Sequence, residues 1–108
     1  MRAGVHSLIS FKVRPGQEAA FEKAFAETGM LSRPKAVAGF LGADLVRDEG
    51  APGTYLVLGR WESADAYAKW QGMSAAGAPT EALRALGRTL IEPQPGRALP
   101  VVSSSDDL

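Results

Sequence analysis

Cysteine and asparagine are absent from this chain of 108 residues, and histidine occurs once, as His6. The lack of cysteine excludes disulfide bonds, thiolate nucleophiles, iron–sulfur clusters and zinc sites built on cysteine. A single histidine excludes a metal site that draws two histidines from one chain. We therefore expect no metal site in this protein.

Neither sign of charge is in excess, because 12 Lys and Arg residues stand against 12 Asp and Glu residues. A protein that binds a phosphate backbone needs a basic surplus, so we expect no nucleic acid partner. No apolar run approaches about 18 residues, and no leader is apparent, so we expect no membrane partner and a cytoplasmic location. The composition is typical of one globular domain, predicted over residues 1–102, with a disordered tail over 103–108.

Two periodicities divide the chain into seven predicted elements. Alternation of apolar and polar residues predicts strands over residues 5–13, 40–48, 54–61 and 98–102. Apolar residues spaced by three and four predict helices from Gln17 to about Gly29, from the N-cap Ser63 to Met73, and from Thr80 to Leu90. Pro100 makes the last strand an edge strand or an exchanged one.

The order β-α-β-β-α-α-β predicts an α+β, ferredoxin-like fold, in which a four-stranded antiparallel sheet carries its helices on one face. The third strand is apolar on both sides, with Leu56 and Leu58 on one face and Val57 and Trp61 on the other. A sheet that is apolar on both faces needs a second cover. We therefore predict a homodimer that packs sheet to sheet.

Two titratable residues on the strands are open candidates for a base. Asp44 is predicted to share a face with Phe40 and Val46, where burial would raise its pKa; alternatively it pairs with Arg60 across the dimer. His6 titrates in the useful range, although a lone histidine on such a strand is more often exposed or hydrogen-bonded.

Short motifs along nearly the whole chain, from residue 5 to about 102, resemble the antibiotic biosynthesis monooxygenase family of dimeric α/β-barrel proteins. They are Arg14-Pro15-Gly16, EAAFEKAF over residues 18–25, Gly39-Phe40-Leu41, and Arg60-Trp61-Glu62-Ser63 followed by Ala66-Tyr67. The resemblance implies a homodimer in which each subunit has a pocket between its sheet and its helices. Some members are oxygenases that convert polyketide anthrones to quinones with molecular oxygen and no cofactor.

The resemblance also implies roles for single residues. Trp61, Tyr67 and Arg84 match the tryptophan, tyrosine and arginine of the anthrone oxygenases, and are the implied catalytic residues. The pocket asparagine of those enzymes falls on Val57 and their second-strand histidine on Val46. Two polar groups are thus replaced by apolar ones in this chain.

Oxygenation of an anthrone requires the protein to bind a flat polycycle, favour its enolate and exclude water. Aromatic rings supply flat apolar walls with polar tips, and the predicted substrate-binding residues are Trp61, Tyr67, Trp70, Tyr55 and Val57. Arg84 would pair with the developing enolate oxygen. The competing interpretation makes Trp61 and Trp70 core residues and Arg84 a solvated surface residue.

The leading hypothesis is a cofactor-independent monooxygenase that oxidises an aromatic polyketide-like substrate, an anthrone or a quinol, with O2. One alternative is a polyketide cyclase or isomerase on the same scaffold, which a more apolar pocket favours. Another is a non-catalytic binding module. Small residues over 72–79 predict either a lid or, more simply, a linker between two helices.

Overall fold

The computed structural model describes residues 3–92 and 95–108, and this part of the chain forms four strands and three α-helices. The strands are β1 (Val5–Lys12), β2 (Phe40–Arg47), β3 (Thr54–Trp61) and β4 (Arg97–Pro100). The helices are α1 (Glu18–Thr28), α2 (Ala64–Met73) and α3 (Thr80–Thr89), with short 3-10 helices at Arg33–Ala36 and Ser105–Asp107. Within the described residues, no helix is long and apolar enough to cross a membrane.

The sheet has the strand order β2-β3-β1-β4, and every neighbouring pair is antiparallel. Together with the helices on one face, this order confirms the predicted ferredoxin-like α+β fold. β4 pairs with β1 alone and is an edge strand, the position in which a proline costs no ladder hydrogen bond to a second neighbour.

Helix ends follow the signals in the sequence. Ser63 is the N-cap of α2, where its hydroxyl accepts a hydrogen bond from the Ala66 N–H at 3.2 Å. At the other end of α1, Gly29 adopts a left-handed conformation with φ of 70° and ends the helix. The start of α2 and the end of α1 therefore lie where the sequence predicts them.

Residue parity decides which strand side chains the helices cover. Odd-numbered residues of β1 and β3 face the helices, so that Tyr55 and Trp61 are each only 2% exposed. Even-numbered residues lie on the opposite side, which we call the open face. There Leu8 pairs with Leu58, whose side chain is 38% exposed. The described single chain therefore has an apolar, uncovered sheet face.

A β-bulge at the start of β2 breaks the expected alternation. Phe40 pairs with Trp61, and Gly42 pairs with Arg60, the next residue along β3. β2 therefore has one extra residue between these two pairs, which shifts the register by one. Phe40 consequently lies on the helix-covered face, with its ring centroid 5.0 Å from that of Trp61. The prediction that Phe40 shares a face with Asp44 and Val46 is therefore wrong for Phe40.

Two clusters of buried side chains lie between the sheet and the helices, at opposite ends of the strands. The phenylalanine cluster is formed by Phe11, Val13, Phe21, Ala24, Phe25, Tyr55 and Leu86. The tryptophan cluster is formed by Val5, Val37, Trp61, Ala66, Tyr67 and Trp70. Burying one large apolar side chain contributes about 1.5–3 kcal/mol, so each cluster stabilises one end of the sheet.

The C-terminal residues contain local structure where the sequence predicts disorder. Ser105–Asp107 form a 3-10 helix, and the Ser104 hydroxyl accepts a hydrogen bond from the Asp106 N–H at 3.2 Å. A serine before two aspartates supplies this cap, because its side chain can satisfy a backbone donor of the following turn.

Candidate functional site

Three of the predicted site residues lie together in the tryptophan cluster. The rings of Trp61 and Tyr67 are 5.3 Å apart between centroids, and Trp70 is buried in the same cluster. The indole Nε1 of Trp61 donates a hydrogen bond to the Ser7 hydroxyl at 2.9 Å. Trp61 is therefore enclosed by its neighbours and has a satisfied polar group.

Val57, the fourth predicted residue on this side, belongs to a row of aliphatic side chains between the two clusters. Leu45 of β2 pairs with Val57, and Val57 pairs with Ile9 of β1. All three face the helices, yet each keeps part of its surface exposed. Neighbouring strands lie about 4.8 Å apart, so the row is about 10 Å long. We call these three residues the aliphatic floor.

Small residues form the next row of the sheet, toward the tryptophan cluster. Gly59 pairs with Ser7 on one side and with Ala43 on the other. A side chain at Gly59 would collide with the Ser7 hydroxyl and lie 2.8 Å from the Trp61 Nε1 atom. The glycine therefore makes room for the hydrogen bond that orients the indole.

One end of the floor opens into a cleft between α1 and β2 with a volume of about 500 Å³. Its apolar walls include Phe25, Leu31 and Leu45, and its polar lining residues include Glu22, Ser32 and Lys35. Because Leu45 lines both the cleft and the floor, the two form one continuous apolar surface. Concave sites of this size, mostly apolar with a few polar groups, are typical of small-molecule binding.

The Tyr67 hydroxyl lies at the other end of the floor, beside Ile9. Tyr67 is 3% exposed, and its Oη atom has no hydrogen-bond partner among the described residues. A side chain at Gly96 would collide with Oη and lie 3.1 Å from Ile9 Cγ1. Burial raises the pKa of Tyr67, and the neighbouring Gln71 carboxamide offsets this in part. Among the described residues, the Tyr67 hydroxyl is therefore a buried donor without an acceptor, and the Gln71 side chain lies beside it.

Tyr55, the fifth predicted substrate-binding residue, lies in the phenylalanine cluster, apart from the tryptophans. Its ring centroid is 4.6 Å from that of Phe21, and its hydroxyl donates to Glu22 Oε2 at 2.6 Å. Burial, and then the hydrogen bond to Glu22, raise the pKa of Tyr55 to about 12. Tyr55 is therefore linked to the cleft by its hydrogen bond to Glu22, which is one of the residues that line it.

Glu22 was not identified from the sequence as a site residue. Its position between Phe21 and Phe25 is the signal that could have found it, because it lies at the border of the apolar stripe. The 33-residue separation from Tyr55 hides the pairing from local patterns.

Arg84, the third predicted catalytic residue, is not part of the tryptophan cluster. Its guanidinium pairs with Glu81 at 2.8 Å on α3, and its side chain is 64% exposed. Ala82 and Leu86 are the buried residues on either side of it. Arg84 is two residues from each of these buried positions. Because two residues turn an α-helix by about 200°, the Arg84 side chain lies near the side opposite to the buried one.

Arg33 is a cation that contacts the tryptophan cluster. Its guanidinium carbon lies 5.0 Å from the centroid of the Trp70 ring. Its Nε donates to the Thr28 carbonyl at 2.9 Å, and a terminal nitrogen donates to the Ser74 carbonyl at 2.6 Å. One side chain thus joins the end of α1 to the start of the 72–79 segment, for which the sequence predicts a lid or a linker.

The other candidate bases lie on the open face. His6 pairs with Arg60, and Asp44 pairs with Leu58, both at even-numbered positions. Val46 is on this face too, so Leu45, and not Val46, is the β2 residue that lines the floor. Among the described residues, no group of three or more His, Cys, Asp or Glu side chains is arranged to hold a metal ion.

Comparison with known proteins places the chain in a family. The family model described as antibiotic biosynthesis monooxygenase matches residues 4–81. No protein of curated function matches the chain significantly.

Solved structures share the fold over almost the whole chain. A candidate antibiotic biosynthesis monooxygenase from Bordetella bronchiseptica is 25% identical, with a TM-score of 0.71 over 94% of this chain and 100% of its own. Another from Caulobacter crescentus is also 25% identical, with a TM-score of 0.67 over 94% and 92%. SnoaB, a cofactor-independent oxygenase from Streptomyces nogalater, is 21% identical, with a TM-score of 0.65 over 94% and 95%, and shares the fold. The match of the family model to most of the chain shows that this protein belongs to the antibiotic biosynthesis monooxygenase family.

Proposed function

We propose that this protein is a cofactor-independent oxygenase that binds a flat aromatic polyketide-like molecule, an anthrone or a quinol, on the aliphatic floor. One observation carries the proposal. The apolar floor continues from the cleft, and the Tyr67 hydroxyl, a buried donor without an acceptor among the described residues, lies beside the Ile9 end of the floor. A ligand with an apolar body and one carbonyl oxygen would satisfy both features.

In the proposed oxidation of an anthrone, the protein has to bind the ligand and polarise its carbonyl group. An anthrone loses a proton to become an electron-rich enolate, which can reduce O2 directly. The ring CH2 then becomes a carbonyl: one oxygen atom enters the ring, and the other leaves with the two hydrogens as water. A hydrogen bond from Tyr67 to the ligand oxygen strengthens as negative charge develops there, which lowers the barrier. The apolar floor and the apolar walls of the cleft hold the flat body of the ligand.

Replacing Tyr67 with phenylalanine is expected to lower kcat/KM for O2 uptake with a tricyclic anthrone by about 10- to 100-fold. The loss corresponds to one hydrogen bond to a charged oxygen, about 1.5–3 kcal/mol. Lys69→Gln is the matched control, since Lys69 lies on the exposed side of the same helix. Full activity of the Tyr67→Phe variant would contradict the role of the hydroxyl.

Product formation measured under strict anaerobiosis separates the oxygenase from a cyclase or isomerase. The wholly aliphatic character of the floor favours this second candidate, because shape alone can guide the folding of a substrate. Product formation without oxygen would identify a cyclase or isomerase. Binding of polycyclic phenols without any turnover would identify a binding module.

We also propose that a second copy of the chain covers the open face. The face carries Leu58 and Leu99, which are 38% and 39% exposed, and half-buried Leu8, Leu56 and Val46. Apolar side chains that are contiguous on a sheet gain stability when a second sheet covers them.

Light scattering is therefore expected to give twice the 11.4 kDa mass of the chain. Leu58→Lys should convert the dimer to a monomer, since a charge would be buried in the interface. Met73→Lys, an exposed apolar residue of α2, serves as the control and should leave the dimer intact. A wild-type protein with the mass of one chain would refute the dimer.

A further inference from the structure

A carboxylate lies at the apolar cleft and is held by a buried tyrosine. Glu22 is the only acid among the described residues that line the cleft, whose walls include Phe25 and Leu45. Tyr55 donates to its Oε2 atom at 2.6 Å, and the Tyr55 side chain is 2% exposed. An exposed glutamate would usually be mobile, so this hydrogen bond to a rigid partner gives the carboxylate a defined position.

The other carboxylate oxygen, Oε1, accepts no hydrogen bond from any described residue. Glu22 and Lys35 both line the cleft but do not form an ion pair with each other. The second oxygen is thus available to a proton from a ligand. A carboxylate that lines the cleft, with one oxygen anchored and the other without a donor among the described residues, has the arrangement that general base catalysis requires.

The polar groups of the site lie at opposite ends of the aliphatic floor. Glu22 is at the cleft end, beside Leu45, and the Tyr67 hydroxyl is at the far end, beside Ile9. A ligand lying along the floor would therefore meet a base at one edge and a hydrogen-bond donor at the other.

We propose that Glu22 is the general base that removes the proton from the acidic ring carbon, and that Tyr55 is a positioning residue that orients it. The proposal rests on the proposed function for its ligand class. The C–H bond breaks, its proton forms an O–H bond with Oε1 of Glu22, and the electron pair moves through the ring to the carbonyl oxygen near Tyr67. Proton transfer needs no oxidant, so it can be measured without O2.

The test is the exchange of hydrogen for deuterium at the acidic carbon of a tricyclic anthrone, followed by NMR under anaerobic conditions in D2O. Glu22→Gln is expected to lower the enzymatic exchange rate at least about 100-fold. The dissociation constant for the anthrone, measured by tryptophan fluorescence, should stay unchanged. Glutamine can still accept the Tyr55 hydrogen bond, so the fold is retained.

Two further variants define the roles. Glu27→Gln is the matched control, because Glu27 is an exposed carboxylate of the same helix and lines a different groove, between α1 and α3. The Glu27→Gln variant should catalyse hydrogen–deuterium exchange on the anthrone at the wild-type rate. Tyr55→Phe should lower the exchange rate severalfold at unchanged affinity, whereas a purely structural tyrosine would change only the stability of the protein.

The outcomes separate this proposal from the oxygenase function. Exchange that depends on Glu22, without O2 uptake, would support the base and refute the oxygenase. O2 uptake with wild-type exchange in Glu22→Gln would refute the base and keep the oxygenase. A wild-type protein that catalyses no exchange at all would also overturn the assignment of Glu22.

Discussion

Replacing Trp61 with alanine is expected to lower the free energy of unfolding by about 3–5 kcal/mol. The indole is 2% exposed and packs against the rings of Phe40 and Tyr67. Its removal leaves a cavity at the centre of the tryptophan cluster and also deprives Ser7 of its hydrogen-bond donor. The loss would be a large fraction of the 5–15 kcal/mol that typically stabilises a domain.

Urea unfolding followed by circular dichroism measures this effect. Ser7→Ala provides a second, smaller change, because it leaves the buried indole N–H without an acceptor at a cost of about 1–3 kcal/mol. A cost below about 1 kcal/mol for Trp61→Ala would mean that the indole borders open space. It would then favour the interpretation of Trp61 as a ligand wall over that of a core residue.

Gly39→Ala is the second substitution with a large expected effect, a loss of about 2–5 kcal/mol. Gly39 has a φ of 95°, a conformation that costs an L-residue about 1–2 kcal/mol. Its Cβ would also lie 2.8 Å from the Cβ of Ala66, and such overpacking costs a further 1–3 kcal/mol, roughly. The contact joins the start of β2 to α2, so neither side can move away freely.

A second glycine provides a matched control, for which replacement by alanine is expected to change the free energy of unfolding in the opposite direction. A Cβ at Gly72, inside α2, would meet no atom within 4 Å. Gly72→Ala is therefore expected to raise the free energy of unfolding by about 0.5–1 kcal/mol, through the higher helix propensity of alanine. Thermal and urea unfolding of both variants test the pair. If Gly39→Ala left the free energy of unfolding unchanged, the contact between the start of β2 and α2 would not be tightly packed.

Patterns of period two and of period three to four were sufficient to predict the strands, the helices and the fold class. The assignment of Val57 and Trp61 to one face and of Leu56 and Leu58 to the other follows from parity alone, because a regular strand alternates strictly. The same rule failed at Phe40, where the bulge inserts one residue. Nothing in the local pattern marks a bulge, since it arises from pairing with another strand.

The candidate site was predictable only in part. The tryptophan cluster joins Trp61, Tyr67 and Trp70, three residues that the resemblance and helix periodicity suggested together. Arg84 is on the exposed side of α3, because the helix packs with Ala82 and Leu86 inward. The orientation of a helix about its own axis depends on the neighbours it packs against, and Arg33 supplies the cation at this cluster instead.

Alternation and helical spacing, which act over a few residues, determined the elements of this protein and the two faces of its sheet, and short motifs carried the resemblance to its family. The tertiary structure alone decided that the floor of Leu45, Val57 and Ile9 is left half-covered between two cores. It also decided that Tyr55 meets Glu22, 33 residues away along the chain. The physical reason is that free volume and long-range hydrogen bonds depend on the distance between packed elements, and that distance is not a property of any short segment.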